Sequence, residues 1–205
     1  RHRYPDFEGY AEGACYPVFR REVFETIGLY DETLVRNQDD ELNYRLAKRG
    51  GKVFLSSRAK STYFVRESLG SLFRQYYEYG YWRVAVIRKH GAPASFRHLI
   101  PPVFVTGLSG LGTTSFFMPE GWRLGLLSVP CLYVLILCSV GLYQMARLGW
   151  KVGLLFPIAA ATMHFAYAFG FMWGVFHAPR VSTKLQTPVE STTLAKSPKP
   201  GSVRL

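Results

Sequence analysis

The chain has 205 residues, 48% of them hydrophobic and 16% aromatic, and its 25 Lys+Arg against 14 Asp+Glu leave a formal net charge of +11. Three cysteines, two of which (Cys131 and Cys138) sit in an apolar stretch, argue against a disulfide framework and a zinc site and fit a reducing compartment. The basic surplus comes without any nucleic-acid recognition motif and is spread around apolar stretches, so a membrane surface is the simpler partner and nucleic acid is not expected.

The averages conceal a division near residue 98. Residues 1–98 hold 17 of the 25 basic and 12 of the 14 acidic residues, whereas the remainder keeps 8 bases and 2 acids. Asp, Glu, Lys and Arg are absent from 99–119, 124–146 and 152–176. Each stretch exceeds the ~18 apolar residues that mark a membrane span, since ~20 helical residues cross a hydrocarbon core about 30 Å thick.

At the start, RHRYPDFEGY has neither an initiator Met nor an apolar h-region, so no signal peptide is expected and the chain reads as a fragment lacking an N-terminal part. RREVFETIG (20–28) spaces Val23, Phe24 and Ile27 for a short helix that Gly28 ends in a left-handed conformation. NQDDELNYRL (37–46) opens a second helix, with Asn37 as N-cap, an end at Ala47 or Lys48, and Gly50-Gly51 as its stop. KVFLS (52–56) and STYFV (61–65) have strand composition.

From Ser68 a longer amphipathic helix is predicted, with Leu69, Leu72, Phe73, Tyr76, Gly80, Arg83 and Ile87 on one stripe, suited to the membrane interface. Pro101-Pro102 and several small residues make 99–119 the weakest of the three spans. Three spans with a cytoplasmic globular half put Arg147 and Lys151 inside but leave the basic tail outside; two spans reverse both. The longer reading, three spans, is preferred. The tail from Ala178, rich in Pro, Ser, Thr and Lys, is expected to be disordered.

Asp39, Asp40 and Glu41 carry two readings. Carboxylates in a helix's first turn are favoured by its macrodipole by ~0.3–1 kcal/mol each, Asn37 and Asp40 have capping-box spacing, and Glu41 can pair with Arg45 at i+4. Alternatively one acid is a catalytic base. Asp39 shares a face with Leu42, Asn43 and Leu46, which puts it at the exposed end of that face, and Asp40 lies ~100° around.

RREVFETIGLYDETLVRNQDDELNYRLAKRGGKVFLS resembles the second half of the catalytic domain of family 2 glycosyltransferases. In that pattern a Glu-Asp pair precedes a helix with an Arg six residues later, then Gly and a strand. The likeness is greatest to exopolysaccharide glycosyltransferases of the succinoglycan type, and SLFRQYYEYGYWRVAVIRKHG followed by apolar spans strengthens it; it covers roughly residues 8 to 176. The resemblance implies an α/β fold, the C-terminal half of a GT-A (Rossmann-like) nucleotide-diphospho-sugar transferase domain followed by transmembrane helices.

Counted from Arg45, the Asp of the pair falls on Asp39, the implied general base, with Asp40 as second candidate; Gln38 stands where the pair has Glu. Gln38, Arg45, Gln75, Trp82 and Arg83 are the implied substrate-binding residues. Arg45 is also expected to pair with Glu41 or to hold the base helix, and the aromatic and basic residues after Gln75 read equally as interfacial anchors. Processive synthases carry Q-x-x-R-W where this chain has Gln75-Tyr76-Tyr77-Glu78-Tyr79, which argues for one sugar per cycle.

The implied reaction is an inverting displacement, in which a carboxylate takes the proton of an attacking sugar hydroxyl and a nucleoside diphosphate leaves, assisted by a divalent cation, Mg or Mn. The family's Asp-x-Asp metal motif is absent here, so no metal ligand is assigned. The implied partners are a nucleotide-sugar donor (a UDP-sugar), a lipid-linked glycan acceptor and membrane lipids, and the implied location is a bacterial inner or plasma membrane, multi-pass, with the catalytic part cytoplasmic.

The expected organisation is therefore a partial GT-A domain (1–67), an amphipathic interfacial helix (68–98), a membrane region (99–177) and a disordered tail (178–205). A non-catalytic scaffold subunit of a polysaccharide assembly complex is the competing reading. A transporter, prompted by His164 as the histidine within a span, is the third.

Overall fold

The computed structural model describes residues 7–11, 13–14, 17–62 and 64–181. They divide into two units, one formed by residues 7–33 and 38–60 and the other by residues 34–37 and 61–181. Cys15, Tyr63 and nearly all of the predicted tail (182–205) lie outside the described residues.

The first unit has strand β1 (Gly9–Ala11), helix α1 (Arg21–Ile27), helix α2 (Gln38–Lys48) and strand β2 (Val53–Leu55). The strands pair antiparallel, with Tyr10 opposite Phe54 and their rings edge to face at 5.5 Å. Helix α1 ends at Gly28 as its spacing predicts, but at φ 79° and ψ 173°. This lies beyond the left-handed helical region and is open essentially to glycine alone.

Helix α2 runs over the predicted residues and stops at Gly50-Gly51 in a Schellman motif. Gly50 N–H donates to Ala47 O (2.9 Å) and Gly51 N–H to Leu46 O (3.0 Å), with Gly50 at φ 77°. A Cβ on Gly51 would overlap the Leu46 side chain, so both glycines have a steric reason to be there. Asn37, just before the helix, has φ 63°, not the extended backbone of an N-cap, and its Nδ2 donates to Tyr79 O in the second unit's own helix at 3.1 Å.

The expected α/β architecture is not what the described residues form. They contain two three-residue strands, paired antiparallel, and no parallel βαβ sheet. KVFLS supplies β2, whereas Ser61, Thr62, Phe64 and Val65 are not in a strand. Most of the apolar sequence lies in long helices.

The second unit holds helix α3 (Leu69–His90), a 3-10 turn (Phe96–Leu99), and helices α4 (Ile100–Ser115), α5 (Glu120–Leu148) and α6 (Trp150–His177). Ser68 and Ser71 close a reciprocal capping box on α3. Its buried residues are Gln75, Gly80 and Arg83–Val86, while Leu69 and Phe73 of the predicted stripe are exposed. Gly80 and Arg83 of that stripe are buried, and α6 packs beside Gly80 through backbone contact: a Cβ on Gly80 would overlap Tyr167 O, and one on Gly170 would overlap Tyr77 O. Small residues at such a crossing let the two backbones touch.

Farther along, Tyr81 Oη donates to His177 O (2.9 Å), and the Arg88 guanidinium donates to the carbonyls of Val175 and Ala178 at the end of α6. These contacts follow α6 in the same direction over eleven residues of α3, about 16 Å of helix. Leu34 completes this core with Val84, Ala85, Val86, Ala178 and Val181.

Helices α5 and α6 are long and apolar enough to cross a membrane. Gly141 alone is buried on α5, and Leu124, Leu135 and Leu142 are all exposed. The stretch 99–119 instead forms the 16-residue α4 and a turn, about 24 Å of helix, which falls short of the ~20 residues a span requires. Thus two helices meet the length the sequence reading had assigned to three. Inside the helical group, Tyr133 Oη lies 3.1 Å from His164 Nδ1 and Phe104 of α4 packs on Tyr133 at 5.2 Å, so His164 bonds a neighbouring helix.

Candidate functional site

The start of α2 separates the three consecutive acids by environment. Glu41 is fully buried, and Arg45, one turn later, reaches back to it: Nε lies 3.0 Å from both carboxylate oxygens and Nη2 2.8 Å from Oε2. The same guanidinium donates to Leu29 O at 2.7 Å and to Ile27 O, the last carbonyls around the end of α1. Arg45 thus ties α2 to α1 as a brace, as its i+4 spacing from Glu41 predicts. Its donors are turned inward onto protein partners, which leaves the implied substrate-binding role without outward-facing groups.

Asp39 and Asp40 are exposed, and Gln38 is half-buried. Burial, and next the negative charge of Asp39, push the Tyr30 phenol above its usual range. Tyr30 therefore stays protonated at neutral pH, with Asp39 close enough to act on it electrostatically. Among the described residues no ion pair engages Asp39. An accessible carboxylate on a helix braced by a buried ion pair has the geometry that proton abstraction from an incoming hydroxyl requires.

Asn43, one turn after Asp39, is a residue that sequence reasoning named only as part of the helix face. It is 7% exposed and its Oδ1 lacks a hydrogen-bond partner among the described residues. A Cβ on Gly13 would come within 2.8 Å of Asn43 Nδ2, so the glycine lets the backbone close on the amide. Nothing in the local pattern distinguishes a buried polar Asn from the small residues that would also fit there. A cavity of about 510 Å³ in the same unit is lined by residues of α1 and by Leu46, Arg49 and Gly51 at the other end of α2, roughly 10 Å of helix from Asp39.

The other implied substrate residues belong to α3. Gln75 is buried, accepts from Arg66 Nε at 3.1 Å and donates to Tyr79 Oη at 2.7 Å. Trp82 is half-buried, edge to face with Tyr81, and packs against the Leu34–Val84 core, while Arg83 is buried. Gln38, Asp39, Asp40 and Arg45 are thus collected on α2 in one unit, and Gln75, Trp82 and Arg83 on α3 in the other. Among the described residues no three His, Cys, Asp or Glu side chains come together as a metal site.

No family model and no solved structure matches the chain. The chain is similar to the succinoglycan biosynthesis protein ExoA of Rhizobium meliloti (strain 1021), with 30% identity over 176 residues, which is 83% of this chain and 50% of that protein. It therefore spans half the length of the curated relative it matches.

Proposed function

We propose that the chain is part of a membrane-bound inverting glycosyltransferase of family 2, with a GT-A catalytic domain, acting in bacterial exopolysaccharide synthesis. It transfers one sugar per cycle from a nucleotide-diphospho-sugar, a UDP-sugar, to a lipid-linked glycan at the cytoplasmic face. The observation that carries the reading is the accessible Asp39 on the Arg45-braced start of α2, within a segment similar to a succinoglycan biosynthesis protein.

Asp39 accepts the proton of the attacking hydroxyl, and Asp40 is the alternative acid on the adjacent side of the helix. A divalent cation belongs to the proposal through the resemblance alone; no step here runs through it. Membrane attachment is supported by α5 and α6, since a soluble protein buries helices of this composition and α5 is open along its length.

The test is transfer of labelled sugar into lipid-extractable product by membranes expressing the complete gene product. Removing a general base typically costs 10²–10⁴-fold, so Asp39→Asn is expected to lose at least about a hundredfold in rate. Transfer by Asp39→Asn close to that of the unsubstituted protein refutes the assignment, and loss in Asp40→Asn alone moves the base to Asp40.

A further inference from the structure

A group of three arginines in the second unit is not used by the chemistry above. Arg36 precedes α2, Arg66 precedes α3, and Arg74 is on α3's second turn; with Ser71, Gln75 and Glu78 they line a cavity of about 210 Å³. Each guanidinium is anchored through the same atom: Arg36 Nε donates to Glu78 Oε2 (2.8 Å), Arg74 Nε to Glu78 Oε1 (3.0 Å) and Arg66 Nε to Gln75 Oε1 (3.1 Å). Among the described residues this side-on anchoring engages Nε, and the terminal Nη groups of all three arginines can act as donors toward another ligand.

Glu78 does not oppose an anion here in the way a bare carboxylate would. Both of its oxygens are engaged, one by each arginine, and Gln75, which holds Arg66, is itself buried and fixed by Tyr79 Oη. Three guanidiniums and one carboxylate leave two net positive charges. Guanidinium forks match phosphate oxygens two at a time, which point charges such as lysine do not. A volume of 210 Å³ is that of about seven waters at roughly 30 Å³ each, more than a single phosphate fills.

We infer that the Arg36, Arg66 and Arg74 cavity is a binding site for a diphosphate group. This deepens the proposed transfer reaction, on which the identity of the diphosphate's carrier rests. The carrier is either a polyprenyl lipid or a nucleoside; the same forks serve both.

The experiment uses the full 205-residue chain in detergent and measures binding by titration calorimetry with inorganic diphosphate, uridine diphosphate and a polyprenyl diphosphate in mixed micelles. Saturable binding of inorganic diphosphate is expected, weakened at least tenfold in the Arg66→Gln/Arg74→Gln double variant and to a similar degree in Arg66→Lys/Arg74→Lys, which keeps charge and loses the forks. Arg123→Gln, an exposed charge on α5, is the control for bulk attraction and is expected to bind as the unsubstituted chain does. Tighter binding of the polyprenyl compound than of inorganic diphosphate assigns the lipid carrier; tighter binding of uridine diphosphate assigns the nucleoside.

No saturable binding by the unsubstituted chain, equal binding by the Gln double variant, or an equal loss in Arg123→Gln overturns the site. Asp39→Asn is expected to bind diphosphate normally while losing transfer, so failure of the base and failure of this site are read separately.

Discussion

The buried pair of Glu41 and Arg45 gives the sharpest separation between a structural acid and the acid proposed as the base. Glu41 is fully buried and Arg45 is 8% exposed, so Glu41→Gln leaves a guanidinium facing an amide in a site closed to water. Breaking a buried pair by removing one partner typically costs about 3–5 kcal/mol, and the amide oxygen still accepts one hydrogen bond, so the low end, ~3 kcal/mol, is expected. Asp39→Asn changes an exposed first-turn acid and is expected to cost at most ~1 kcal/mol. The assay is hydrogen exchange by mass spectrometry on peptides covering α2 in the full chain, where exchange reports the opening free energy of that unit. With each 1.4 kcal/mol worth tenfold, Glu41→Gln accelerates exchange by roughly a hundredfold and Asp39→Asn by less than tenfold. Glu41→Leu/Arg45→Met, which removes both charges, is expected to recover most of the protection apart from the orphaned Ile27 and Leu29 carbonyls. Exchange in Glu41→Gln within tenfold of the unsubstituted chain refutes the brace, as does a larger effect from Asp39→Asn.

One substitution made at two glycines of α3 is expected to have opposite signs. Gly70→Ala meets open space and raises thermal stability by about 0.5–1 kcal/mol through helix propensity, while Gly80→Ala forces α3 off the Tyr167 carbonyl and lowers it by about 1–3 kcal/mol; parallel melts in one detergent compare them. Burial by itself raises the Glu78 carboxyl, but hydrogen bonds and charges from Arg36 and Arg74 outweigh it and hold the group below its ordinary 4.5. A depressed folded-state value means the contribution is complete above 4.5 and is lost as pH falls through the lowered value; Glu78→Gln should flatten the melting profile in that acid window and leave neutral pH comparatively unaffected. Tyr133→Phe removes the hydroxyl at His164 Nδ1, and a double cycle with His164→Phe is expected to return a coupling of about 0.6–1.7 kcal/mol.

What was legible in the sequence was mainly short-range. The ends of α2, its Gly50-Gly51 stop and the Glu41–Arg45 pairing all follow from residues within a few positions of one another, and the charge-free stretches 124–146 and 152–176 lie within α5 and α6. Legibility failed where a distant partner decides. The close approach at Gly80 is set by Tyr167 and Gly170 some ninety residues later, so Gly80 and Arg83 of the stripe are buried while Leu69 and Phe73 at its start, beyond that contact, are exposed. Stretch 99–119 has the composition of a span, but its helix ends at Ser115 and gives way to a turn before the next helix. The diphosphate cavity is invisible locally, because Arg36 reaches Glu78 across 42 positions.

The consecutive acids of α2 look alike in the sequence and differ once the helix is packed. Arg45 can hold α1 to α2 only because Glu41 is inside with it, and that fixes the rotation of the helix about its axis. A helix rises 1.5 Å and turns 100° per residue, so with Glu41 held inward the two preceding acids are carried outward on known bearings. Asp39 is then one turn before the buried Asn43 on the same face and beside Tyr30, which its charge perturbs, while Asp40 is a further 100° around. A proton acceptor must be held to within a few tenths of an ångström of its working position, and long exposed side chains on loops do not provide that. Here the precision comes from the buried ion pair one half-turn away. In the proposed reaction the acid that carries no chemistry is therefore what makes its exposed neighbour usable as a base, and the exchange and transfer experiments on Glu41 and Asp39 measure the two halves of that dependence.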